Sequence, residues 1–205
     1  IWLSALIGRG AASEARKAMA SQQSLRLPWP EQLFLAASIK WLSKDQIGAE
    51  KELSAALKLV PNYEGALRLS AALTEVREDT RQAYLLLERL LRVAPNDNRA
   101  CLRGALLRWR QGEEKAAIAQ IQGLVSDRKV GALANFWLGR LLLIQATRPS
   151  GHSELQRAEK KNIRAANAET QDALRQASEY LKSAAKAGIP DASWYGWLCA
   201  ARKEY

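Results

Sequence analysis

The chain has 205 residues, which is enough for one ordinary domain or one short repeat array. Hydrophobic residues make up 48% and charged residues 25%, a balance that is typical of a folded chain and excludes a disordered tail. The formal net charge of +10 favours acidic partners such as nucleic acid, anionic lipid or an acidic protein face, and no apolar run approaches the roughly 18 residues that a membrane span needs.

The chain opens with the apolar run Ile-Trp-Leu-Ser-Ala-Leu-Ile, residues 1–7. This run is suited to a core helix, and the alternative is that it ends a membrane helix. Because the first residue is Ile1, we expect the sequence to be part of a longer protein. Helices are predicted near 1–8 and 12–23.

The middle of the chain repeats with a step of 34 residues. An alanine, a leucine and a Pro-Asn pair recur at the same spacing in two segments: Ala49, Leu53, Pro61 and Asn62, then Ala83, Leu87, Pro95 and Asn96. Small residues recur with the same step at Ala37, Ala71, Ala105 and Gly139. A fixed period of this length indicates a repeat architecture.

This pattern resembles the tetratricopeptide repeat (TPR), a helix–turn–helix unit of 34 residues. In that family small residues at repeat positions 8 and 20 let two helices approach closely, and a proline at position 32 ends the unit. The resemblance implies an all-α fold, a right-handed superhelical TPR solenoid of antiparallel helix pairs. No segment shows the sustained two-residue alternation of apolar and polar residues that would predict a strand. Further helices are predicted near 31–42, 46–60, 64–77, 80–94, 98–111, 113–127 and 132–146.

In this frame residues 1–205 form a single repeat domain. It comprises a partial unit at 1–29, repeats at 30–63, 64–97 and 98–131, a divergent unit at 132–190, and a terminal helix at 191–203. In the third repeat Lys129 replaces the proline. In the divergent unit the residue that best matches repeat position 20 is Ala177. This is about 26 residues later than the repeat predicts, so the unit contains an insertion of about 26 residues.

The insertion begins after a helix-breaking Arg-Pro-Ser-Gly run at 148–151. Helical spacing of apolar residues then predicts one long helix over 153–187, of roughly 50 Å. The alternative is a loop through 165–170 followed by a shorter helix. The alanine-rich segment 184–192 resembles the sel-like relatives of the TPR.

No catalytic constellation is found in the sequence, so we do not expect an enzyme. His152 is the only histidine, and no nucleophile motif surrounds it. Cys101 and Cys199 lack metal-ligand spacing and favour a reducing compartment, although a long-range disulfide stays open as an alternative. No cofactor, metal or small-molecule substrate is expected.

The resemblance implies that the first helix of each repeat lines a concave groove. The expected partner-binding residues are basic or aromatic: Phe34, Trp41, Arg68, Arg99, Arg103, Trp109, Arg110, Phe136 and Arg140. Alternatively the tryptophans pack between helices and the arginines form a solvated face. Some family members clamp a terminal carboxylate, and Arg99 and Arg103 match half of that clamp. Phe34 and Ser38 stand where its other half should be, so the full clamp is absent.

The main hypothesis is a protein-interaction scaffold that binds an acidic or amphipathic segment within a larger assembly. Such an assembly could be membrane-associated, as in secretion or polysaccharide export, with the chain on the cytoplasmic side and tethered to the inner face through an upstream segment. One alternative is a nucleic-acid-binding helical repeat, suggested by the charge and by Arg157, Lys160, Lys161 and Arg164. The other is a structural subunit that associates with itself.

Overall fold

The computed structural model describes Lys17, residues 29–147 and residues 160–189. Every regular element within these ranges is an α-helix. The helices predicted near 1–8 and 191–203 lie outside the described residues, as does the helix near 12–23 apart from Lys17. The chain divides into two compact units, which we call the N-terminal module, Ile1–Gln111, and the C-terminal module, Gly112–Tyr205.

Five described helices form the N-terminal module. They are α1 (Trp29–Leu42), α2 (Gln46–Leu59), α3 (Glu64–Val76), α4 (Thr80–Val93) and α5 (Asn98–Arg110). Each begins and ends within two residues of its predicted bounds. Each helix packs on the next one along the chain, and α1 also contacts α3. The prediction of consecutive packed helices is therefore confirmed in this module.

Small residues lie where the helices of each pair cross. Ala37 on α1 and Ala49 on α2 are fully buried in one hydrophobic cluster, and Ala71 on α3 and Ala83 on α4 are fully buried in another. A methyl group at these points lets the helix backbones approach closely. Leucines complete the clusters around them, and a fully buried leucine such as Leu87 contributes about 1.5–3 kcal/mol through removal of its surface from water.

The turn inside each repeat has the same backbone conformation at repeat position 15. The φ angle is +63° at Lys44, +62° at Glu78 and +88° at Gly112. Asp45 and Asp79 follow the first two of these residues, and each carboxylate accepts a hydrogen bond from a backbone N–H in the next helix, at 2.8 and 3.0 Å. These aspartates therefore cap the N-termini of α2 and α4.

Three described helices form the C-terminal module: α6 (Glu114–Gln122), α7 (Gly131–Thr147) and α8 (Lys160–Lys186). α7 packs against both of the others. The prediction of a helix over 113–127 is wrong at its end, because the helix stops at Gln122. Gly123 follows it, and the backbone N–H of Leu124 then donates to the carbonyl of Ile121 at 2.9 Å, which tightens the chain into a series of turns.

The chain enters α7 through Asp127 and Gly131, in the repeat that lacks the proline. The Asp127 carboxylate accepts hydrogen bonds from the backbone N–H groups of Lys129 and Val130, at 2.7 and 2.8 Å. A Cβ atom at Gly131 would lie 2.7 Å from the carbonyl oxygen of Val125. The chain therefore passes too close to itself at this point for any residue except glycine.

The contact between α7 and α8 centres on Gly139. A Cβ atom at Gly139 would lie 2.6 Å from Cγ of Leu181 and 2.9 Å from the carbonyl oxygen of Ala177. Ala177 and Leu181 are both fully buried. Gly139 holds repeat position 8, and Ala177 and Leu181 match positions 20 and 24 once the insertion is left out. The repeat pattern therefore predicts this contact. The assignment of exact repeat boundaries stays a prediction.

α8 is one continuous helix over its described length of 27 residues, about 40 Å. The alternative of a loop through 165–170 is therefore wrong, while residues 153–159 lie outside the described part. Between Ala168 and the end of α8, the first buried residue is Leu174, and residues 168–173 are exposed or half-buried. Since α7 has only 17 residues, the first turns of α8 extend beyond that pairing. None of the described helices is both long and apolar enough to cross a membrane.

Candidate functional site

A groove of about 340 Å³ lies between α1 and α3 in the N-terminal module, and we call it the α1–α3 groove. Its lining consists of Phe34, Ser38, Trp41 and Leu42 from α1, Gly65, Arg68, Leu69 and Ala72 from α3, and Arg103 from α5. Residues 34, 38 and 41 on α1, and residues 65, 69 and 72 on α3, are three, four or seven positions apart, which places them on one face of each helix. The structure thus brings four of the nine predicted binding residues into one site.

Phe34 closes one end of the groove. Its ring contacts Tyr63 edge to face, with centroids 5.6 Å apart, and a Cβ atom at Gly65 would lie 3.2 Å from Cζ of Phe34. Glycine at this position therefore leaves room for the phenyl ring to lie against α3. The hydroxyl of Ser38 donates to the carbonyl of Phe34 at 2.8 Å, so this polar side chain is already engaged.

Arg68 is held by two carboxylates at the edge of the groove. Its guanidinium lies 2.5 Å from Glu64 and 2.7 Å from Asp97. Asp97 also caps α5 by accepting from the backbone N–H of Ala100 at 3.1 Å. Burial by itself would raise the pKa of Asp97, but the hydrogen bonds from Arg68 and from the backbone of Ala100 and Arg99 outweigh it and hold that pKa below its ordinary value.

Arg103 is likewise paired, with Nη2 lying 2.8 Å from Oε1 of Glu75. That oxygen is buried and has no hydrogen bond of good geometry, so the nearby guanidinium charge is its main compensation. The groove edge thus holds two guanidinium groups and three carboxylates. The groove lining is aromatic, while ion pairs within the protein neutralise the arginines that were expected to make it basic, and the partner-binding role of these residues stays a prediction.

Arg99 is the exception among the arginines near the groove. It precedes Arg103 by one turn on the same face of α5, and its side chain is exposed. No ion pair of Arg99 is observed within residues 29–147. It is therefore a free positive charge beside the groove.

The remaining predicted residues lie elsewhere. Trp109 is half-buried and Arg110 is exposed at the end of α5, and neither lines the α1–α3 groove. Phe136 and Arg140 belong to α7 in the C-terminal module. Phe136 is only 8% exposed and contacts Trp137 edge to face, and the Arg140 guanidinium lies 5.1 Å from the centre of the Trp137 ring. A binding role for these four residues stays a prediction.

Three residues at the positions of the family's carboxylate clamp, Phe34, Ser38 and Arg103, line this groove. Phe34 and Ser38 are not the basic residue and the asparagine that the clamp uses. Phe34 and Ser38 line the same groove as Arg103, so an apolar surface replaces the absent half of the clamp. Sequence reasoning overlooked Leu42, Gly65, Leu69 and Ala72, which also line the groove. Gly65 and Ala72 occupy repeat positions 2 and 9, so the position rule could have found them. Glycine and alanine carry no charged, polar or aromatic group that would have marked them as binding residues.

The structure offers little for metal or thiol chemistry. Within its described part no three His, Cys, Asp or Glu side chains form a group that could hold a metal ion. Cys101 is half-buried on α5, whereas Cys199 and His152 lie outside the described residues. The candidate site is therefore the groove.

The packed helix pairs with small residues at their crossings define an all-α, TPR-type helical-repeat fold. No protein-family model matches this sequence, and no curated relative does. Among solved structures, a MamA RS-1 ArsTM double mutant is 18% identical over 88% of this chain and 91% of its own, with a TM-score of 0.60. A structure of MamA protein gives a TM-score of 0.55 at 15% identity over 85% of this chain and 92% of its own.

A further MamA crystal structure gives a TM-score of 0.51 at 16% identity, covering 82% of this chain and 94% of its own. At these identities the likeness shows the fold alone. The predicted all-α TPR solenoid fold is thereby confirmed. The sel-like character expected for residues 184–192 finds no support in these comparisons.

Proposed function

We propose that this chain is a protein-interaction scaffold and that the α1–α3 groove holds an amphipathic segment of another protein. The groove itself carries the proposal, because aromatic and aliphatic side chains form its lining while Arg68 and Arg103 border it. Aromatic residues and arginine are the residue types that dominate binding energy at protein interfaces. The fold supports the proposal further, since stacked helical repeats present extended binding surfaces.

The internal ion pairs favour an amphipathic partner over a purely acidic one. A purely acidic segment would meet the carboxylates of Glu64, Glu75 and Asp97 as well as the two guanidinium groups. An amphipathic segment gains instead from burial of apolar surface, about 25 cal/mol per Å². Acidic residues at the edge of such a segment would form ion pairs with the exposed side chain of Arg99.

The proposal extends to the surroundings of the scaffold. The net charge of +10 favours a position near anionic lipid, which supports a cytoplasmic location at the inner face of a membrane, within an assembly such as a secretion or polysaccharide-export machine. Cosedimentation with anionic vesicles should exceed that with neutral vesicles and should weaken with added salt. Equal sedimentation with both kinds of vesicle would contradict this location.

A matched pair of variants tests the groove. Ala72→Glu places a charge on the groove lining, and Ala119→Glu places the same charge on an exposed site of α6. The wild-type chain and both variants would serve as bait in extracts of the native cells, with circular dichroism confirming their folds. We expect a set of proteins that the wild type and Ala119→Glu retain and Ala72→Glu loses. The same set on all three baits would show that the groove is not the binding site.

A further inference from the structure

We propose that the α1–α3 groove takes its partner as an acidic amphipathic α-helix and not as an extended strand. This inference rests on the proposed function and specifies the conformation and chemistry of the bound segment. It follows from the hydrogen-bonding groups that the groove offers, from the shape of its two sides, and from the charge beside it.

The groove offers few hydrogen-bond acceptors. Its sides are the helices α1 and α3, whose interior backbone N–H and C=O groups are already paired within those helices. Among the polar side chains, Ser38 donates to its own helix, and Arg68 and Arg103 each direct part of the guanidinium group to carboxylates. The N–H groups that remain on the two arginines and the indole N–H of Trp41 are donors only, so they leave the N–H groups of an extended backbone without acceptors.

This shortage disfavours an extended segment. A strand laid on the groove would bury backbone N–H groups that find no acceptor there, and such unpaired groups weaken binding. A helix pairs these groups internally and presents only its side chains. The groove is therefore suited to a segment that brings its own backbone hydrogen bonds.

The two sides of the groove also have helical spacing. Gly65, Leu69 and Ala72 lie within two turns of α3, and Phe34 and Trp41 lie two turns apart on α1. Both stripes span about 10 Å along a helix axis. The ring of Phe34 lies over Gly65, whereas the small side chain of Ala72 leaves a shallow depression beside Leu69 into which a large apolar side chain of a docked helix can pack.

The charge beside the groove selects an acidic helix. Arg99 is exposed and makes no ion pair within residues 29–147, so it can meet a carboxylate at the edge of the partner's apolar stripe. A lysine or arginine at that edge would instead face Arg99 in a chain whose net charge is already +10. The fitting partner thus carries apolar residues at helical spacing flanked by Asp or Glu.

Two displayed peptide libraries of equal length test the inference. In the first, randomised residues lie on one face of a rigid helical scaffold. In the second, prolines at regular intervals prevent helix formation. Binders to the wild-type chain would be re-tested on Ala72→Glu, with Ala119→Glu as the matched control. Leu69→Glu would replace Ala72→Glu if that variant does not fold.

We expect groove-dependent binders from the helical library, losing at least about tenfold in affinity on Ala72→Glu and being rich in Asp and Glu. Arg99→Glu should weaken them by about two- to fivefold, the range of an exposed charge pair. Groove-dependent binders from the proline library alone would overturn the helical partner and leave the scaffold function intact. If neither library yields a groove-dependent binder, the proposed function itself is overturned.

Discussion

Alanine at Gly139 and alanine at Gly104 should change stability in opposite directions. Both glycines lie inside buried helix faces, Gly139 on α7 and Gly104 on α5. A Cβ atom at Gly104 would have no neighbour within 4 Å, whereas at Gly139 it would lie 2.6 Å from Leu181 and 2.9 Å from a backbone oxygen. The same substitution therefore adds a methyl group to open space at one site and to a closed contact at the other.

The expected magnitudes follow from this difference. Alanine in place of glycine within a helix raises the free energy of unfolding by about 0.5–1 kcal/mol, which should be the whole effect of Gly104→Ala. At Gly139 the same gain is opposed by overpacking of about 1–3 kcal/mol. We expect an overpacking cost at the upper end of this range, because Leu181 is fully buried and the second contact is the backbone oxygen of Ala177. Gly139→Ala should therefore destabilise by about 2 kcal/mol.

Urea unfolding followed by circular dichroism measures both effects, and hydrogen exchange locates them. Gly139→Ala should speed amide exchange in α7 and α8 and leave α1–α4 unchanged. If Gly139→Ala proves as stable as the wild type, with unaltered exchange in α7 and α8, the close α7–α8 contact does not exist in solution. Gly104→Ala is the control for helix propensity, and destabilisation by that variant would show that the space around Gly104 is not open.

Three further outcomes are expected. Lys44→Gly should raise the free energy of unfolding by about 1 kcal/mol in urea titrations and Gly112→Ala should lower it, because φ is positive at both sites. Asp97→Asn keeps the cap on α5 but removes the charge. Since the folded pKa of Asp97 is lowered, its stabilisation exists above the unfolded pKa of about 3.9 and is lost as pH falls through the folded pKa. Variant and wild type should thus differ in stability to urea at pH 7, and the difference should shrink as the pH falls below about 3.9 and through the folded pKa. Arg103→Glu should lower the melting temperature measured by calorimetry, whereas Arg99→Glu should not; equal melting temperatures would contradict a structural role for the Arg103 ion pair.

The helices of the N-terminal module could be predicted from sequence because each repeat carries its own local signals. Small residues such as Ala71 and Ala83 mark the crossings, and Pro61 and Pro95 mark the ends. Where the proline is replaced, after α6, the predicted end was wrong, because Gly123 and the turns that follow it stop the helix. The end of a helix depends on the residues next to it. Without the proline, which is Lys129 here, the predicted boundary was therefore placed too far along the chain.

The charge of the groove could not be predicted in the same way. Arg68 meets Asp97, 29 residues away at the N-cap of α5, and Arg103 meets Glu75, 28 residues away on α3. Of the ion pairs at the groove, only that of Arg68 with Glu64, four residues apart on one helix, follows from local spacing. Sequence shows the signs of the charges, but the pairing depends on which side chains the packed helices bring together. The aromatic residues Phe34 and Trp41 were easier to place, because repeat position alone brings them to the groove.

The separation of the contact partners on α7 and α8 has a consequence for the order of folding. Ala71 and Ala83, which share one cluster, are 12 residues apart, whereas Gly139 and Ala177 are 38 residues apart. Closing the longer loop costs about 1 kcal/mol more in chain entropy, which slows closure roughly fivefold. A refolding chain should therefore form its local hairpins first and join α8 to α7 last. During that interval the apolar side of α7, including Leu138 and Leu142, is open to chaperones and to misassociation.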